Sequence, residues 1–221
     1  MKKSPRENEK KNISLGLKHG VSLSSIIEDR QLLDRAGIHS ALVKMADEIL
    51  EFHPKYQKLL LIGIHTGGVY LAERLQRLIK AKTGYEIQMG VMDITLYRDD
   101  PFVGLPRPEV GLTQLPCSIQ GRKLILVDDV LFTGRTIRSA LMELMDFGRP
   151  QCVELAVLID RGHRELPIRP DYVGLKTKTL RKQSVRVFLT EKGEADRVAV
   201  FKQAGQESSG QGIRDVKEKI L

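Results

Sequence analysis

The segment at residues 123–137, KLILVDDVLFTGRTI, constrains the possible folds more than any other part of the chain. It opens with a short apolar run at residues 124–127 that contains branched side chains, a pattern typical of a strand buried in a parallel sheet. Two carboxylates, Asp128 and Asp129, follow this run, and a turn of small and polar residues then leads into the apolar periodicity of a helix. A strand, an acidic pair, a turn and a helix in this order predict an open α/β sheet, in which ligands bind at the carboxyl ends of the strands.

The turn after the acidic pair has the chemistry of a phosphate site. A helix N-terminus presents unpaired N–H groups and partial positive charge. The hydroxyls of Thr133 and Thr136 can donate to an anion, and Gly134 allows the backbone to approach it closely. Asp128 and Asp129 repel a phosphate but suit neighbouring hydroxyls or a metal-bound sugar. The segment therefore favours a ribose 5-phosphate, and the alternative is an ordinary strand–helix turn with a capping threonine and solvated aspartates.

Two further units have a strand that ends in a polar loop. Residues 59–64 predict a second buried strand, which leads into the turn at residues 66–68 and then into a helix. Residues 152–159 predict a third buried strand, which ends in the donor-rich segment at residues 160–164. For each loop the alternative is structural: a flexible turn without a ligand at residues 66–68, and a histidine at position 163 that only supports the fold.

The remaining pattern adds a helix, outer strands and a lid. Apolar residues recur at helical spacing over residues 32–52, which predicts the first helix. Strands are predicted at residues 86–97 and 185–189, and residues 198–201 are expected to pair near the second of these. The long loop that contains Arg98 and several prolines and glycines is of the kind that forms a functional lid.

Length, charge and cysteine content bound the class of protein. The 221 residues suffice for one sizeable domain, expected at residues 22–203, between a disordered basic arm at 1–21 and a tail at 204–221. Cys117 and Cys152 have no metal-like spacing, which indicates reduced thiols and a cytoplasmic location. No stretch is apolar enough to span a bilayer. The net charge of +8 fits RNA contact, anionic metabolites or simple solubility.

The segment VDDVLFTGRT at residues 127–136 resembles the signature by which type I phosphoribosyltransferases bind PRPP, 5-phosphoribosyl 1-diphosphate. Further stretches narrow the resemblance to the PyrR family of pyrimidine operon attenuators and uracil phosphoribosyltransferases. They are DITLYRDD at 93–100, GRP at 148–150, LIDRGHRELPIR at 158–169 and DYVG at 171–174. The resemblance extends from about residue 32 to about residue 201.

This resemblance implies a type I phosphoribosyltransferase fold, with a central, mostly parallel sheet flanked by helices, a small hood and a mobile flap. It implies transfer of the phosphoribosyl group of PRPP to uracil, which gives UMP and pyrophosphate and uses Mg²⁺. It also implies UMP-responsive binding to the pyr leader mRNA, by which transcription attenuation is regulated. The expected partners are therefore PRPP, uracil, UMP and this RNA, and the expected assembly is a homo-oligomer of two or more chains that contacts no membrane.

The resemblance also assigns roles to individual residues. The PRPP-binding residues are Val127, Asp128, Asp129, Val130, Leu131, Phe132, Thr133, Gly134, Arg135 and Thr136. Asp128 and Asp129 are the catalytic acids, which hold the ribose hydroxyls and the metal, directly or through water, and Arg98 of the flap reaches the pyrophosphate. The pyrophosphate loop is Thr66, Gly67 and Gly68. The hood segment, which faces the base or the RNA, is Asp160, Arg161, Gly162, His163 and Arg164.

Some positions depart from the family pattern. In the first helix, Val43, Lys44 and Asp47 stand where Thr, Arg and His are usual, and the acid at Asp47 would repel RNA phosphates. Gly67 stands where an arginine is frequent, so the pyrophosphate loop lacks one cation. Phe132 stands where purine-specific relatives have an aspartate, which argues against a purine enzyme. The alternatives are a phosphoribosyltransferase for another base, such as orotate or hypoxanthine, and a regulator with little catalysis.

Overall fold

The computed structural model describes residues 26–94 and 113–204. The basic arm expected at residues 1–21, Arg98 with the greater part of the flap, and the tail beyond residue 204 lie outside the described residues. The helices are α1 (Arg35–Phe52), α2 (Gly67–Thr83) and α3 (Arg135–Asp146). The strands are β1 (Ile26–Leu33), β2 (Leu59–Ile64), β3 (Gln88–Met92), β4 (Lys123–Leu131), β5 (Cys152–Asp160), β6 (Tyr172–Lys176), β7 (Ser184–Phe188) and β8 (Arg197–Gln203).

The main sheet contains five of the described strands in the order β3-β2-β4-β5-β6, and every pairing between them is parallel. Strand β4 is central, and its Val127 lies opposite Gly63 of β2 and Ala156 of β5. All six residues of β2 are buried, as a strand covered on both faces requires. The prediction of a parallel α/β sheet with 123–137 at its centre is therefore confirmed, and the described part of the strand predicted at residues 86–97 is the shorter β3.

A second, smaller sheet joins the two ends of the described chain. Its strands are antiparallel in the order β1-β8-β7, and the predicted pairing beside residues 185–189 is confirmed because Val187 lies opposite Val198. The prediction that the first helix begins at residue 32 is wrong, since residues 32 and 33 end strand β1. Helix α1 begins at Arg35 because Asp34 caps it: the Asp34 carboxylate accepts a hydrogen bond from the Gly37 amide at 2.7 Å.

Helices cover the main sheet on both faces and bury its alternate residues in two clusters. Leu59 and Leu61 of β2 pack with α1 and α2, whereas Leu60 and Ile62 pack with α3. The three-layer arrangement leaves only the edges of the sheet for ligands. At the carboxyl edge, β2 and β4 both end in a turn that starts a helix, so the two turns lie side by side.

Candidate functional site

A cleft of about 410 Å³ opens at the carboxyl end of β4. Its lining comprises Asp128, Val130, Leu131, Phe132, Thr133, Gly134, Arg135 and Thr136 from β4 and the following turn, together with Glu165 and Arg181. The turn is not sealed in the core, because Thr133 and Thr136 are half-buried and Arg135 is exposed. The structure thus brings most of the predicted PRPP-binding residues together around one open concavity.

The turn is shaped by a left-handed glycine and by a threonine hydroxyl. Gly134, at the N-terminus of α3, has φ 94°, a conformation that residues with a Cβ rarely adopt. The Thr133 hydroxyl accepts a hydrogen bond from the Arg135 amide at 3.4 Å. The result is a short loop wrapped onto a helix N-terminus, which is suited to an anion by its dipole and its amide groups.

The two adjacent carboxylates face different parts of the site. Asp128 is buried, lines the cleft, and its Oδ1 accepts a hydrogen bond from the Asp129 amide at 2.9 Å. Asp129 instead lies against Gly67, since a Cβ added to Gly67 would be 2.3 Å from its Oδ2. Burial raises the pKa of Asp129, and the positive charge of Lys192 works in the opposite direction. One acid therefore borders the phosphate turn and the other borders the turn at the start of α2.

The turn at residues 66–68 packs directly onto the middle of β4. A Cβ added to Gly68 would be 2.1 Å from the carbonyl oxygen of Val127, so the two backbones touch. The peptide bond between His65 and Thr66 is cis. Because of this close packing, the turn at residues 66–68 and the turn at residues 133–136 lie on either side of the acidic pair.

The buried Arg161 supports the site from the hood segment. Its guanidinium lies 4.0 Å from the centroid of the Phe132 ring, and it donates hydrogen bonds to the carbonyl oxygens of Leu180 at 3.0 Å and Gln183 at 2.6 Å. Burial lowers the pKa of Arg161. These contacts connect Phe132 to the chain between β6 and β7. The Arg161 donors, which were expected to face a ligand, therefore form hydrogen bonds mainly within the protein.

Arg164 and His163 also make defined protein contacts. The Arg164 guanidinium donates to the carboxylate of Asp160 at 2.5 Å and to the carbonyl oxygen of Phe132 at 2.7 Å. His163 has φ 62°, and its Nε2 lies 2.8 Å from the carbonyl oxygen of Thr179. The predicted hood residues therefore surround the base of the phosphate turn, and a contact with a base or with RNA stays a prediction.

Two charged residues of the cleft were missed by the sequence analysis. The Glu165 carboxylate accepts hydrogen bonds from Arg135, at 2.9 Å, and from Arg181 across the mouth of the cleft, and these bonds lower the pKa of Glu165. Glu165 belongs to the motif at residues 158–169 and could have been found there. Arg181 lies in no motif, so only the fold shows that it reaches the cleft.

Comparison with known proteins identifies the family. The phosphoribosyl transferase domain family matches residues 30–191. The chain is 48% identical over 177 residues to the "Bifunctional protein PyrR" of Pelotomaculum thermopropionicum, which covers 80% of this chain and 98% of that protein. It is 49% identical to the protein of the same name from Syntrophobacter fumaroxidans, over 80% of this chain and 95% of that protein. The chain belongs to the PyrR family.

PyrR proteins carry a phosphoribosyltransferase domain, so the chain is an enzyme of the glycosyltransferase type. Solved structures confirm the type I phosphoribosyltransferase fold. The hypoxanthine phosphoribosyltransferase of Trypanosoma cruzi superposes with a TM-score of 0.62 at 18% identity, over 80% of this chain and 98% of that chain. The enzyme of Leishmania tarentolae, solved with GMP, gives a TM-score of 0.59 at 19% identity, over 79% of this chain and 97% of that chain.

The acidic pair of this PyrR chain fits a magnesium site that is completed by a substrate. Within residues 26–94 and 113–204, no cluster of three or more His, Cys, Asp or Glu side chains could hold a metal alone. Mg²⁺ commonly uses one or two carboxylates together with phosphate oxygens and water. Asp128 and Asp129 supply such a donor set.

The helices of the described chain include none that is long and apolar enough to cross a membrane.

Proposed function

We propose that the chain transfers the phosphoribosyl group of PRPP to uracil and releases pyrophosphate. One observation carries this proposal: the acidic pair lies between the phosphate turn and the pyrophosphate turn, with Asp129 against Gly67 and Asp128 in the cleft. PRPP carries its groups in the same order, with a 5-phosphate, a ribose diol and a diphosphate. The spacing of the two turns across adjacent strands supports a single ligand that spans both.

Each part of the site has a role in this proposal. The turn at residues 133–136 holds the 5-phosphate with its amides and hydroxyls, and Asp128 and Asp129 accept hydrogen bonds from the ribose hydroxyls. The turn at residues 66–68 holds the diphosphate by its backbone, and Arg98 of the flap adds a cation. Asp128 and Asp129 would hold Mg²⁺ directly or through water, and the bound ion would supply positive charge to neutralise the leaving diphosphate.

The reaction then requires mainly positioning and charge stabilisation. The bond between the anomeric carbon and the diphosphate oxygen breaks, the bond from that carbon to a uracil nitrogen forms, and the proton of that nitrogen passes to the leaving diphosphate or to water. Positive charge develops on the ribose ring, and in this proposal the carboxylates of Asp128 and Asp129 stabilise it. The described site residues are not arranged as a covalent nucleophile with its base, and this transfer needs none.

Uracil is proposed as the base because of the environment of Phe132. Its ring is covered by the Arg161 guanidinium at 4.0 Å and meets the His163 ring edge-to-face with centroids 5.7 Å apart. An apolar ring at this point offers no carboxylate to a purine nitrogen. Orotate and hypoxanthine stay as alternative bases, and the deciding observation is which base supports pyrophosphate release.

The test is a PRPP-dependent assay with uracil, orotate, hypoxanthine and guanine as separate substrates. Wild-type protein is expected to form UMP with uracil at a rate at least tenfold above that with the other bases. The double variant Asp128→Asn/Asp129→Asn is expected to lose turnover while its circular dichroism spectrum is retained. Wild-type activity in this variant would overturn the site assignment, and preference for another base would overturn the uracil assignment alone.

A second activity is proposed because the relatives are named bifunctional: UMP-responsive binding to pyr leader mRNA. On the face of α1 where residues differ from the family pattern, each altered charged residue is paired with a residue of opposite charge. Asp47 pairs with Lys82 at 2.8 Å, and Lys44 pairs with Glu48 at 3.5 Å. Pairing with Lys82 reduces the repulsion that Asp47 would exert on an RNA phosphate.

A gel-shift titration with the leader RNA of the chain's own pyrimidine genes tests the regulatory activity. We expect UMP to strengthen binding at least fivefold, and the variant Asp47→His to strengthen it further. A protein that makes UMP but binds this RNA equally with and without UMP would refute regulation and leave the transferase proposal intact.

We further propose that residues 22–203 act as one cytoplasmic domain in a homo-oligomer, which sedimentation velocity would detect.

A further inference from the structure

A second cleft, of about 550 Å³, lies at the opposite edge of the main sheet from the proposed transferase site. Its lining residues, Phe52, His53, Pro54, Lys55, Gln57, Lys58, Gly121, Arg122, Lys123 and Gln151, come from the end of α1 and from the segments just before β2, β4 and β5. The strands of this sheet are parallel, so this edge carries their amino ends while the phosphate turn lies at their carboxyl ends. We call it the basic cleft.

The charge of the basic cleft has one sign. Lys55, Lys58, Arg122 and Lys123 line it, and the lining residues in the described part of the chain include no aspartate or glutamate. Within the part of the chain that the structure describes, none of these four cations forms an ion pair. Four like charges around one concavity repel one another, and an anion would relieve that repulsion.

The carboxylate of Glu154, next to the lining residue His53, is already held by other groups. Oε2 of Glu154 lies 2.8 Å from Nε2 of His53 and accepts a hydrogen bond from the Tyr172 hydroxyl at 2.6 Å. His53, a lining residue, also lies 3.1 Å from that hydroxyl. Glu154 is therefore held by two neighbours and is not paired with any of the four cations.

The floor of the basic cleft is held in place by hydrogen bonds. Nη1 of Arg122 donates to the side-chain oxygen of Gln88 at 2.8 Å, a neutral partner that orients the guanidinium without cancelling its charge. The Gln151 amide donates to the carbonyl oxygen of Arg122 at 2.8 Å, and the Gly121 amide donates to that of Arg149 at 2.9 Å. These hydrogen bonds join the loop before β4 to the loop before β5. Because the loops are already ordered, less conformational entropy is lost when a ligand binds.

The cleft also has an aromatic wall. The side chain of Phe52 is 70% exposed, and its ring meets Tyr172 only edge-on, with centroids 6.3 Å apart. An exposed ring beside cations suits a ligand that has a flat heterocycle and phosphate groups, because the base can stack while the phosphates contact the lysines. The volume of the basic cleft, about 550 Å³, falls in the range of small-molecule pockets, roughly 300–1,000 Å³. A concavity of this volume favours a small ligand, because a nucleic acid would need an extended basic stripe.

We propose that the basic cleft binds a nucleoside polyphosphate at a site separate from the transferase centre. The phosphate chain contacts Lys55, Lys58, Arg122 and Lys123, and the base lies on Phe52. This proposal does not depend on the transferase reaction, because its ligand is recognised by residues at the other edge of the sheet. Binding is therefore measurable whether or not the chain makes UMP.

Calorimetric titration of the full chain with ATP tests the proposal, with inorganic triphosphate and adenosine as partial ligands. We expect one ATP per chain, displaced by triphosphate, and at least tenfold weaker binding in the variant Lys55→Glu/Lys58→Glu. The matched control is Lys178→Glu/Lys182→Glu, which makes the same charge change near the hood and should alter binding less than twofold. Phe52→Ala should weaken ATP three- to tenfold and leave triphosphate unchanged.

The variant Asp128→Asn/Asp129→Asn distinguishes the basic cleft from the transferase centre, because ATP binding to the basic cleft should persist in it. Equal ATP affinity in Lys55→Glu/Lys58→Glu and in wild-type protein would overturn the proposal. Binding that fails in the aspartate variant or in the hood control would place ATP in the phosphate turn instead, and would also overturn it. Loss of RNA binding in Lys55→Glu/Lys58→Glu without any ATP binding would reassign the cleft to nucleic acid.

Discussion

The backbone of Gly68 touches the backbone of Val127, so closely that a Cβ on Gly68 would be 2.1 Å from the Val127 carbonyl oxygen. This contact joins the start of α2 to the middle of β4 and fixes the distance between the two turns of the site. Neither atom belongs to a flexible side chain, so the contact cannot be relieved by a rotamer change. Glycine at position 68 is therefore a requirement of the site's geometry.

The variant Gly68→Ala tests this requirement. The added methyl group must push α2 away from β4, which we expect to lower the free energy of unfolding by about 2–3 kcal/mol. We also expect turnover to fall about 100-fold, because the amides of residues 66–68 move relative to Asp129. Urea unfolding and PRPP-dependent UMP formation measure the two effects.

The control for this variant is Gly37→Ala in the first turn of α1. A Cβ there would be 3.0 Å from the Leu33 side chain, which can move, and alanine favours the helix. This control should change stability by less than about 1 kcal/mol. Similar losses in the two variants would mean that the contact between Gly68 and Val127 has no special role.

Arg161 is expected to stabilise the hood. Arg161→Ala removes the guanidinium from the Phe132 ring and leaves the carbonyl oxygens of Leu180 and Gln183 without their donor. We expect a loss of about 2–3 kcal/mol in urea unfolding, together with a higher KM for the base. The matched control is Arg186→Ala on β7, an exposed arginine 4.9 Å from the Phe201 ring, which should cost less than about 1 kcal/mol. Equal losses would show that Arg161 is no more than a surface cation.

The centre of the fold could be predicted because its signals are local. Strand β4, its acidic pair and the start of α3 lie within fifteen consecutive residues, and each part has a distinct pattern of polarity. The same holds for β2 and the turn at residues 66–68. In both cases the strand contains an unbroken buried apolar run, at residues 124–127 of β4 and 59–64 of β2, as expected for a parallel sheet covered by helices on both faces.

Features that depend on distant partners could not be predicted. Strand β1 has charged residues at Glu28, Asp29 and Arg30 and becomes a strand only because it pairs with β8, more than 160 residues away. The donors of Arg161 were expected to face a ligand, but they reach the carbonyl groups of the loop before β7. A sequence pattern identifies donors, and only the fold determines which acceptors lie within their reach.

The ion pair between Arg74 and Asp196 should make stability depend on pH. Hydrogen bonds from the Arg74 guanidinium, at 2.7 and 2.8 Å, lower the pKa of Asp196 below its ordinary value. Its stabilising effect is therefore complete above the pKa of an unfolded aspartate, about 3.9, and is lost as the pH falls through the lower folded value. Asp196→Asn should lose about 2 kcal/mol at pH 7.

Urea unfolding at pH 7 and at pH 3 checks this prediction. The difference between wild-type protein and Asp196→Asn should shrink at the lower pH. The exposed pair of Asp47 with Lys82 supplies the control, because Asp47→Asn should change stability by less than about 0.5 kcal/mol at either pH. A difference for Asp196→Asn that is the same at both pH values would exclude the ion pair as its cause.

Glu143 should have the opposite pH dependence. This carboxyl group on α3 is buried, its Oε1 accepts a hydrogen bond from the Thr113 hydroxyl, and its Oε2 has no hydrogen-bond partner among the residues that the structure describes. Burial, followed by the nearby charges of Asp93 and Asp146, raises the pKa of Glu143. Because the folded chain then holds the proton more tightly than the unfolded chain, wild-type stability falls as the pH rises from about 4.3 through the raised value.

The variant Glu143→Gln removes this titration and keeps an acceptor for Thr113. We expect it to be more stable than wild-type protein at pH 8 by about 1 kcal/mol, or roughly 2–4 °C in Tm. At pH 4 the advantage should disappear, because the wild-type carboxyl group is then protonated. Thermal unfolding monitored by circular dichroism at both pH values, with the exposed Glu51→Gln as control, measures the effect. A variant that is less stable than wild-type protein at pH 8 would show that the ionised carboxylate has a partner and contributes to the fold.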